Sequence, residues 1–558
     1  MGFLRVQARG LVSRMLSRSA PRWPSAVNRL RITLDRGVTM ASLADRLADA
    51  HGGRGAVRLE APVRFLGFEG AELSFTDLAD LAARAHGALR AAGVRRGERV
   101  AVATGNRIEF LLVTLGAIRL GAVAVPLNHL LAPPEMGSAM EDSGAKTVVV
   151  DREVGRRLKG RLPRGARRRL SIEPVPGFRT LDPPGQAPLP AKIAPKSPVA
   201  IFYTSGTTGH PKGALLTSEG LLSGMRGAAL YPGLAEDDLA LGVLPLAHIM
   251  GFCALLMAFI AGVPVLFLGK FDAGTVLRKI EEERVTLFVG VPAMYALMLQ
   301  AGAEKRDLSS VRLWASAADA MPASHVKKFV EMGARATLGR RSIPRCVFTE
   351  AYGMVELSGP AFVKVNWPGV DLEPGCIGWP LYPVRAKIAG SDGRGEARRG
   401  EVGELCIRGP GVARGYVGRR APVEEGWLRT GDLARVGRWG LFYFVDRKKD
   451  VIKCGGYSVF SAEVEEALLG HPAVADCAVV GVPHPAKGEM PVAAVTLRRG
   501  ARATEAQLMA WAKDRLAAYK APRRVHVLRE HEMPYGPTKK ILKRELKERF
   551  KGDFSGAQ

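Results

Sequence analysis

Cysteine is scarce in this chain. The six cysteines, Cys253, Cys346, Cys376, Cys406, Cys454 and Cys477, form no CxxC pair and have no histidine at zinc-ligand spacing, which excludes a structural zinc and points to a reducing compartment. Aromatic residues are only 7% of the chain, against 81 Lys and Arg and 54 Asp and Glu. The net charge of +27 should attract anions, whether nucleic acid, acidic lipid or phosphorylated substrates. Without aromatics interleaved on a basic face to stack bases, nucleic acid is the least suited of the three, and no nucleic-acid partner is expected. No apolar run is long enough to cross a bilayer: the longest, Phe252 to Leu268, holds Gly262 and Pro264, and reads as a buried helix followed by a strand. Lysine is absent from the first 36 residues, which carry eight arginines and one acid, Asp35, among Phe3, Leu4, Leu11, Val12, Met15 and Leu16. Three readings fit this segment: a start site set too early, with Met40 as the true first residue, or a dangling tail; a mitochondrial presequence; and a basic arm lying on anionic membrane. The expected location is cytoplasmic, with peripheral membrane association or a mitochondrial address depending on that segment.

What is present is a globular composition, 47% apolar and 24% charged over 558 residues, enough for two domains. From Leu73 to Pro126 helix and strand alternate: a helix from Thr76 through Arg95, a buried strand from Arg99 to Thr104, a helix from Phe110 to Leu120. Such alternation implies an α/β fold with mostly parallel sheets flanked by helices. Arg152 to Arg169 carries nine basic residues among glycines and a proline and reads as a solvated loop. A Pro-rich connection, Pro183 to Pro198, leads into a strand at Val199 to Tyr203. A strand-rich stretch, Arg385 to Val417, follows later. The C-terminal hundred residues show a fresh rhythm: helix Ala462 to Leu469, strands Ala475 to Val482 and Pro491 to Leu497, helix Glu505 to Ala518. The expected organisation is an N-terminal extension over 1–40 outside the fold, a large domain over 41–448, and a small α+β domain over 449–558 behind a hinge at Lys449.

The densest chemical signal is Tyr203-Thr204-Ser205-Gly206-Thr207-Thr208-Gly209-His210-Pro211-Lys212-Gly213. Glycines let backbone N–H groups approach an anion, hydroxyls add donors and Lys212 adds charge, so the stretch suits a nucleotide's phosphates. It is not GxxxxGK[ST], and Pro211 forbids a helix running through it. The stretch resembles the signature of the adenylate-forming superfamily, which includes acyl-CoA synthetases, luciferases and the adenylation domains of peptide synthetases. Further segments match that family in order: Ala122 to Asn128, Pro245 to His248, Ala351 to Glu356, Gly426 to Asp432, Asp446 to Asp450, Gly455 to Glu465 and Lys540-Ile541-Leu542. The likeness runs from Ser74 to Leu546 and is nearest to fatty acyl-CoA synthetases.

That resemblance implies a two-step reaction: a carboxylate attacks the α-phosphate of ATP and expels pyrophosphate, and the acyl-adenylate then passes to CoA. It assigns the β- and γ-phosphates to Thr204, Ser205, Gly206, Thr207, Thr208, Gly209 and Lys212, Mg²⁺ to Glu356, the ribose hydroxyls to Asp432, adenine to Tyr352 beside Gly353, and the ribose or phosphates to Arg447. His248 borders the carboxylate site, short of acting as a general base because the acid is already ionised near neutral pH. Lys540 is the mobile lysine of the first half-reaction, and Gly455-Gly456 face the pantetheine arm of CoA in the second. ATP and CoA are co-substrates and Mg²⁺ the cofactor. Each residue alone would pass for something ordinary: Asp432 for a turn, His248 for a packed histidine, Lys540 for part of a solvated basic run.

Two positions depart from the family pattern. Val355 stands where a threonine usually precedes the magnesium glutamate, so a hydroxyl for the α-phosphate is missing, and Lys539 replaces the glycine before Lys540. Both bear on catalytic efficiency, and an active ligase is still expected. The run Ile249-Met250-Gly251-Phe252-Cys253-Ala254-Leu255-Leu256 holds no carboxylate to bind a substrate amine, so an apolar acid is favoured, a fatty acid ahead of an aryl acid. No phosphopantetheine attachment sequence is visible, which makes the acceptor external: CoA first, a carrier protein second. An aryl-CoA ligase and a nucleotide-binding pseudoenzyme are the remaining alternatives.

Overall fold

Ser74 opens the first long helix by reciprocal capping: its hydroxyl accepts the Asp77 N–H at 3.1 Å while the Asp77 carboxylate accepts the Ser74 N–H at 2.8 Å. The helix, α1 (Phe75–Ala91), ends short of the expected Arg95 because Gly93 turns into the left-handed region at φ 86°. It lies against α2 (Ile108–Leu120) so closely that a Cβ on Gly116 would sit 2.6 Å from Ala85 Cβ. The computed structural model describes residues 32–554 except 36, 185–187, 205–211, 230–233, 235–236, 339–340, 345, 367–369, 371, 391–394 and 537–540. The chain divides into two compact units, one of residues 1–372, 377–385 and 408–428, the other of 373–376, 386–407 and 429–558.

In the first unit, β1 (Arg99–Ala103), β2 (Val123–Pro126), β3 (Thr147–Val150), β4 (Pro198–Thr204) and β5 (Lys212–Thr217) build one sheet. Its order is Arg179–Thr180, Arg168–Ser171, β3, β1, β2, β4, β5, with every pairing parallel except the last. The strand order reverses at β1, and the carboxyl ends of strands at such a reversal are where α/β sheets hold ligands. A second sheet of this unit contains β6 (Ala240–Gly242), β7 (Val347–Met354) and β8 (Gly359–Asn366), with strand Leu313–Ala317 running parallel to β7. Beneath it Tyr295, Trp314 and Phe329 stack edge to face with centroids 4.9 to 6.0 Å apart. The apolar run at Phe252 becomes α3 (Ile249–Ile260) followed by strand Val265–Phe267, as its glycine and proline suggested. All six cysteines are buried, and none of them is in a disulfide.

Two expectations need correction. The basic stretch from Arg152 is not a loop throughout: Asp151 caps a helix, Arg152–Leu158, by accepting the Val154 N–H at 2.9 Å, and Arg168–Ser171 joins the sheet. Val154 and Leu158 supply a buried apolar stripe that the arginines outnumber but do not cancel. The segment set aside as an extension also contributes to the fold: Ile32, Val38 and Met40 are buried, and the Met40 N–H donates to Ser218 Oγ at 2.8 Å. Residues 1–31 lie outside the described ones.

The second unit contains most of β9 (Trp427–Val436), antiparallel to β10 (Phe442–Arg447). A small sheet follows, with β11 (Ile452–Cys454), β12 (Tyr457–Val459), β13 (Val474–His484), β14 (Gly488–Leu497) and β15 (Arg524–Leu528). Helices α4 (Ser461–Leu469) and α5 (Lys543–Arg549) belong to this unit. A further helix, Glu505–Lys513, is shorter than expected. None of the described helices is long and apolar enough to cross a membrane.

Candidate active site

The phosphate-loop candidate is the connection between β4 and β5. Antiparallel pairing sets Thr204 opposite Lys212 and Tyr203 opposite Gly213, so both ends of the hydroxyl-rich stretch leave the sheet side by side. Ser205, Gly206, Thr207, Thr208 and Gly209 lie outside the described residues. Gly213 is required by packing, since a Cβ there would meet Ile201 Cγ2 at 2.8 Å. Tyr203 anchors the sheet end of the loop, its hydroxyl 2.7 Å from the Ala139 carbonyl and 2.8 Å from Asp142 Oδ2.

Glu356 sits in a short 3₁₀ turn, Val355–Leu357, between β7 and β8. Gly353 makes that turn possible: a Cβ on it would lie 2.2 Å from the Gly359 carbonyl oxygen across the strands. Tyr352, one residue before, packs edge to face on Phe362 at 5.6 Å. The Glu356 carboxylate is buried, and its Oε1 accepts a hydrogen bond from the Tyr416 hydroxyl at 2.8 Å. Tyr416 is held by backbone bonds on either side, Leu215 N–H to Gly415 O at 2.8 Å and Val417 N–H to Gly213 O at 2.8 Å. Its ring centroid is 5.7 Å from Lys212 Nζ. Burial, and then the neighbouring Glu356 charge, pushes its phenol pKa up, so the hydroxyl stays a donor. Tyr416 was missed in the sequence; the one signal was a hydroxyl-bearing aromatic set between Gly415 and Gly418. The structure thus brings together Lys212, Glu356 and Tyr416. A single buried carboxylate with Oε1 on a phenol suits a hard cation that takes its other oxygens from phosphate and water, and no cluster of three or more ligating side chains exists among the described residues.

His248 precedes α3 at the end of a segment pinned by two asparagines. Asn106, after β1, accepts the Leu246 N–H at 2.9 Å. Asn128, after β2, faces His248 Nε2 with its Nδ2 at 3.2 Å. Burial lowers the His248 pKa. Val355 packs, partly buried, against the apolar core of the same unit.

In the second unit β9 and β10 pair Asp432 with Arg447 directly, and Arg447 Nε lies 3.5 Å from Asp432 Oδ1. Asp432 is buried, and its backbone N–H donates to Thr430 Oγ1 at 3.1 Å. Glu404 braces the turn before it, accepting the Gly431 N–H at 3.2 Å and Lys448 Nζ at 3.1 Å. Asp446 faces the other way. It accepts the Ser461 N–H and, at 3.1 Å, the Ser461 hydroxyl, capping α4. Lys449 Nζ lies 4.0 Å from Asp450 Oδ1, and burial lowers its pKa. Gly455 and Gly456 form a two-residue turn joining β11 to β12, with φ 57° and 86°, the left-handed pair that a tight hairpin demands. Their spacing therefore has a backbone reason independent of any ligand, and nothing lies within 4 Å of a Cβ built on Gly456. Lys540 falls outside the described residues. Three positions on, Lys543 reaches Glu465 Oε1 at 2.7 Å and Ser461 Oγ at 2.8 Å.

Residues 46–417 match the model of the AMP-binding enzyme family, and 463–540 match that of the AMP-binding enzyme C-terminal domain. A feruloyl-CoA synthase from Amycolatopsis sp is 35% identical over 491 residues, covering 86% of this chain and 94% of that protein. A long-chain-fatty-acid–CoA ligase from Bacillus subtilis is 30% identical over 525 residues, covering 87% and 91%. The solved structure of o-succinylbenzoate coenzyme A synthetase from Bacillus subtilis, in complex with ATP and magnesium ion, superposes with a TM-score of 0.76 at 28% identity, covering 91% of this chain and 99% of that one. This chain belongs to the AMP-binding enzyme family and is an acid–thiol ligase that works through an acyl-adenylate.

Proposed function

We propose that the substrate is an apolar aryl-substituted carboxylic acid, with CoA as acceptor. The observation that carries this is the segment from His248 through α3, which offers no carboxylate to a substrate amine and presents Met250, Ala254 and Met257 as partly exposed apolar side chains. The order expected from sequence, fatty acid before aryl acid, is reversed because the feruloyl-CoA synthase is the more similar of the two relatives compared. A long-chain fatty acid is the second reading, supported by the Bacillus ligase.

In the first half-reaction an acid oxygen attacks the α-phosphorus and pyrophosphate leaves. Thr204 to Lys212 hold the leaving phosphates, where hydroxyl and backbone N–H donors and an ammonium meet growing negative charge. Glu356, oriented by Tyr416, would hold Mg²⁺, which supplies charge neutralisation on the phosphate oxygens when bound. Asp432 takes the ribose hydroxyls through its two acceptor oxygens, Arg447 lies beside it, and Tyr352 meets adenine. Lys540 bridges acid and α-phosphate, and His248 donates to the acid. In the second half-reaction the CoA thiol attacks the acyl carbonyl and AMP leaves, with Gly455-Gly456 facing the pantetheine arm and Lys449 as the hinge. The test is pyrophosphate release across a panel of cinnamic, benzoic and fatty acids, with and without CoA. Turnover of aryl acids at least about 10-fold above fatty acids in kcat/KM supports the reading, and the reverse order transfers it to fatty acids. Lys540→Ala should abolish adenylate formation yet spare thioester formation from supplied acyl-adenylate; equal loss of both refutes its role.

A further inference from the structure

Asn128 and His248 come from elements 120 positions apart, and the hydrogens between them can be assigned by elimination. A backbone N–H only donates, so the Asn128 atom that accepts the Leu130 N–H at 2.9 Å is its carbonyl oxygen. The other atom is then the amide nitrogen, which only donates, and it faces His248 Nε2 at 3.2 Å. Nε2 must therefore present a lone pair, which leaves the ring proton on Nδ1. Protonating Nε2 would turn two donors on each other inside a mostly buried contact. Burial opposes the charged ring as well, and no charged group among the described residues contributes to the shift. The ring makes no capping bond to α3, so Nδ1–H is not spent on the helix that follows it.

We propose that Asn128 is a positioning residue that fixes His248 as the neutral Nδ1–H tautomer, so that the ring meets the acid substrate as a single uncharged donor. This rests on the reading that His248 borders the substrate carboxylate. The arrangement has a chemical point. An imidazolium would hold the carboxylate in an ion pair and draw electron density from the oxygen that must attack phosphorus, whereas a neutral N–H orients it at smaller cost to its nucleophilicity.

The experiment uses the full chain labelled with ¹⁵N-histidine, with His248→Gln identifying which of the ten histidine signals belongs to His248. Two-bond proton–nitrogen spectra of the wild type should show a protonated Nδ1 and an unprotonated Nε2 from about pH 6 to about pH 9. The variant Asn128→Asp keeps an acceptor for the Leu130 N–H and puts a second acceptor against Nε2. It should move the proton to Nε2 and raise the ring pKa. Above that pKa, Nδ1 turns a lone pair toward the substrate, so the KM for the acid should climb at least about 5-fold between about pH 7 and about pH 9, while the wild-type KM stays level. A wild-type ring protonated at Nε2, or a variant whose nitrogen shifts do not move, overturns the proposal. If the tautomer moves and the acid KM does not, the donor role is overturned together with the placement of His248 at the substrate, while the tautomer assignment stands. The wild-type spectrum decides the assignment even if the variant folds poorly.

Discussion

Replacing Tyr416 by phenylalanine removes one oxygen and keeps the ring beside Lys212 and the backbone bonds on either side of it. What is lost is a 2.8 Å hydrogen bond to a buried carboxylate. A bond to an ionised group contributes about 1.5–3 kcal/mol, and a phenol that is only partly buried argues for the lower end. If Glu356 is the magnesium ligand, that energy is spent holding its carboxylate in one orientation. The Mg²⁺ concentration giving half-maximal pyrophosphate release, at saturating ATP and acid, should then rise about 10-fold. Mn²⁺ binding followed by electron paramagnetic resonance should weaken in parallel, giving a readout that needs no turnover. The acid KM should hardly change. A variant that melts several degrees lower yet needs no more Mg²⁺ would refute the reasoning, since the bond would then serve packing alone.

Val355→Thr should raise the rate of acyl-adenylate formation about 10-fold in single-turnover measurements, with little change in acid KM, because a hydroxyl there would strengthen its contact as charge builds on the α-phosphate; a flat or lower rate would mean the site has re-formed around the valine, which packs on the core. His86 has its pKa lowered to about 4 by burial first and then by Arg119 and Arg90. A depressed folded-state pKa stabilises the fold above the unfolded value near 6.5 and loses that contribution as pH falls toward about 4, so the unfolding free energy from denaturant titrations should drop by up to about 3 kcal/mol over that window, and His86→Gln should flatten the slope. Gly353→Ala should cost more than about 2 kcal/mol, read as thermal stability, because its Cβ meets a carbonyl oxygen on the neighbouring strand and neither backbone can yield alone; an unchanged melting temperature would contradict the tight β7–β8 pairing.

Strand and helix positions in the first unit were legible because buried strands such as β1 and β4 read as unbroken apolar runs, and because caps such as Ser74 are local chemistry. The stretch after Arg152 misled because charge was weighed above the two apolar residues that seat its helix. Of the candidate site, Asp432 and Arg447 were named from their motifs, and the strand register that pairs them lay beyond reach. The contacts that organise the site are long in sequence: Tyr416 meets Glu356 from 60 positions away, and the Asn128–His248 separation is twice that. No local pattern announces such a meeting. Gly455-Gly456 show the opposite case, a motif whose glycines the hairpin would require anyway.

The strand β10 ends in two neighbouring residues with opposite errands. Alternation sends Asp446 to the cap of α4 and Arg447 to Asp432. The strand thus acts as a two-sided gauge in which neither reading can be reset alone. Gaining or losing one residue ahead of this pair would aim the acid at Asp432, like against like, and the guanidinium at a helix N-terminus that favours anions. Length here is constrained more tightly than identity, and a lineage could vary most side chains of β10 while tolerating almost no insertion within it.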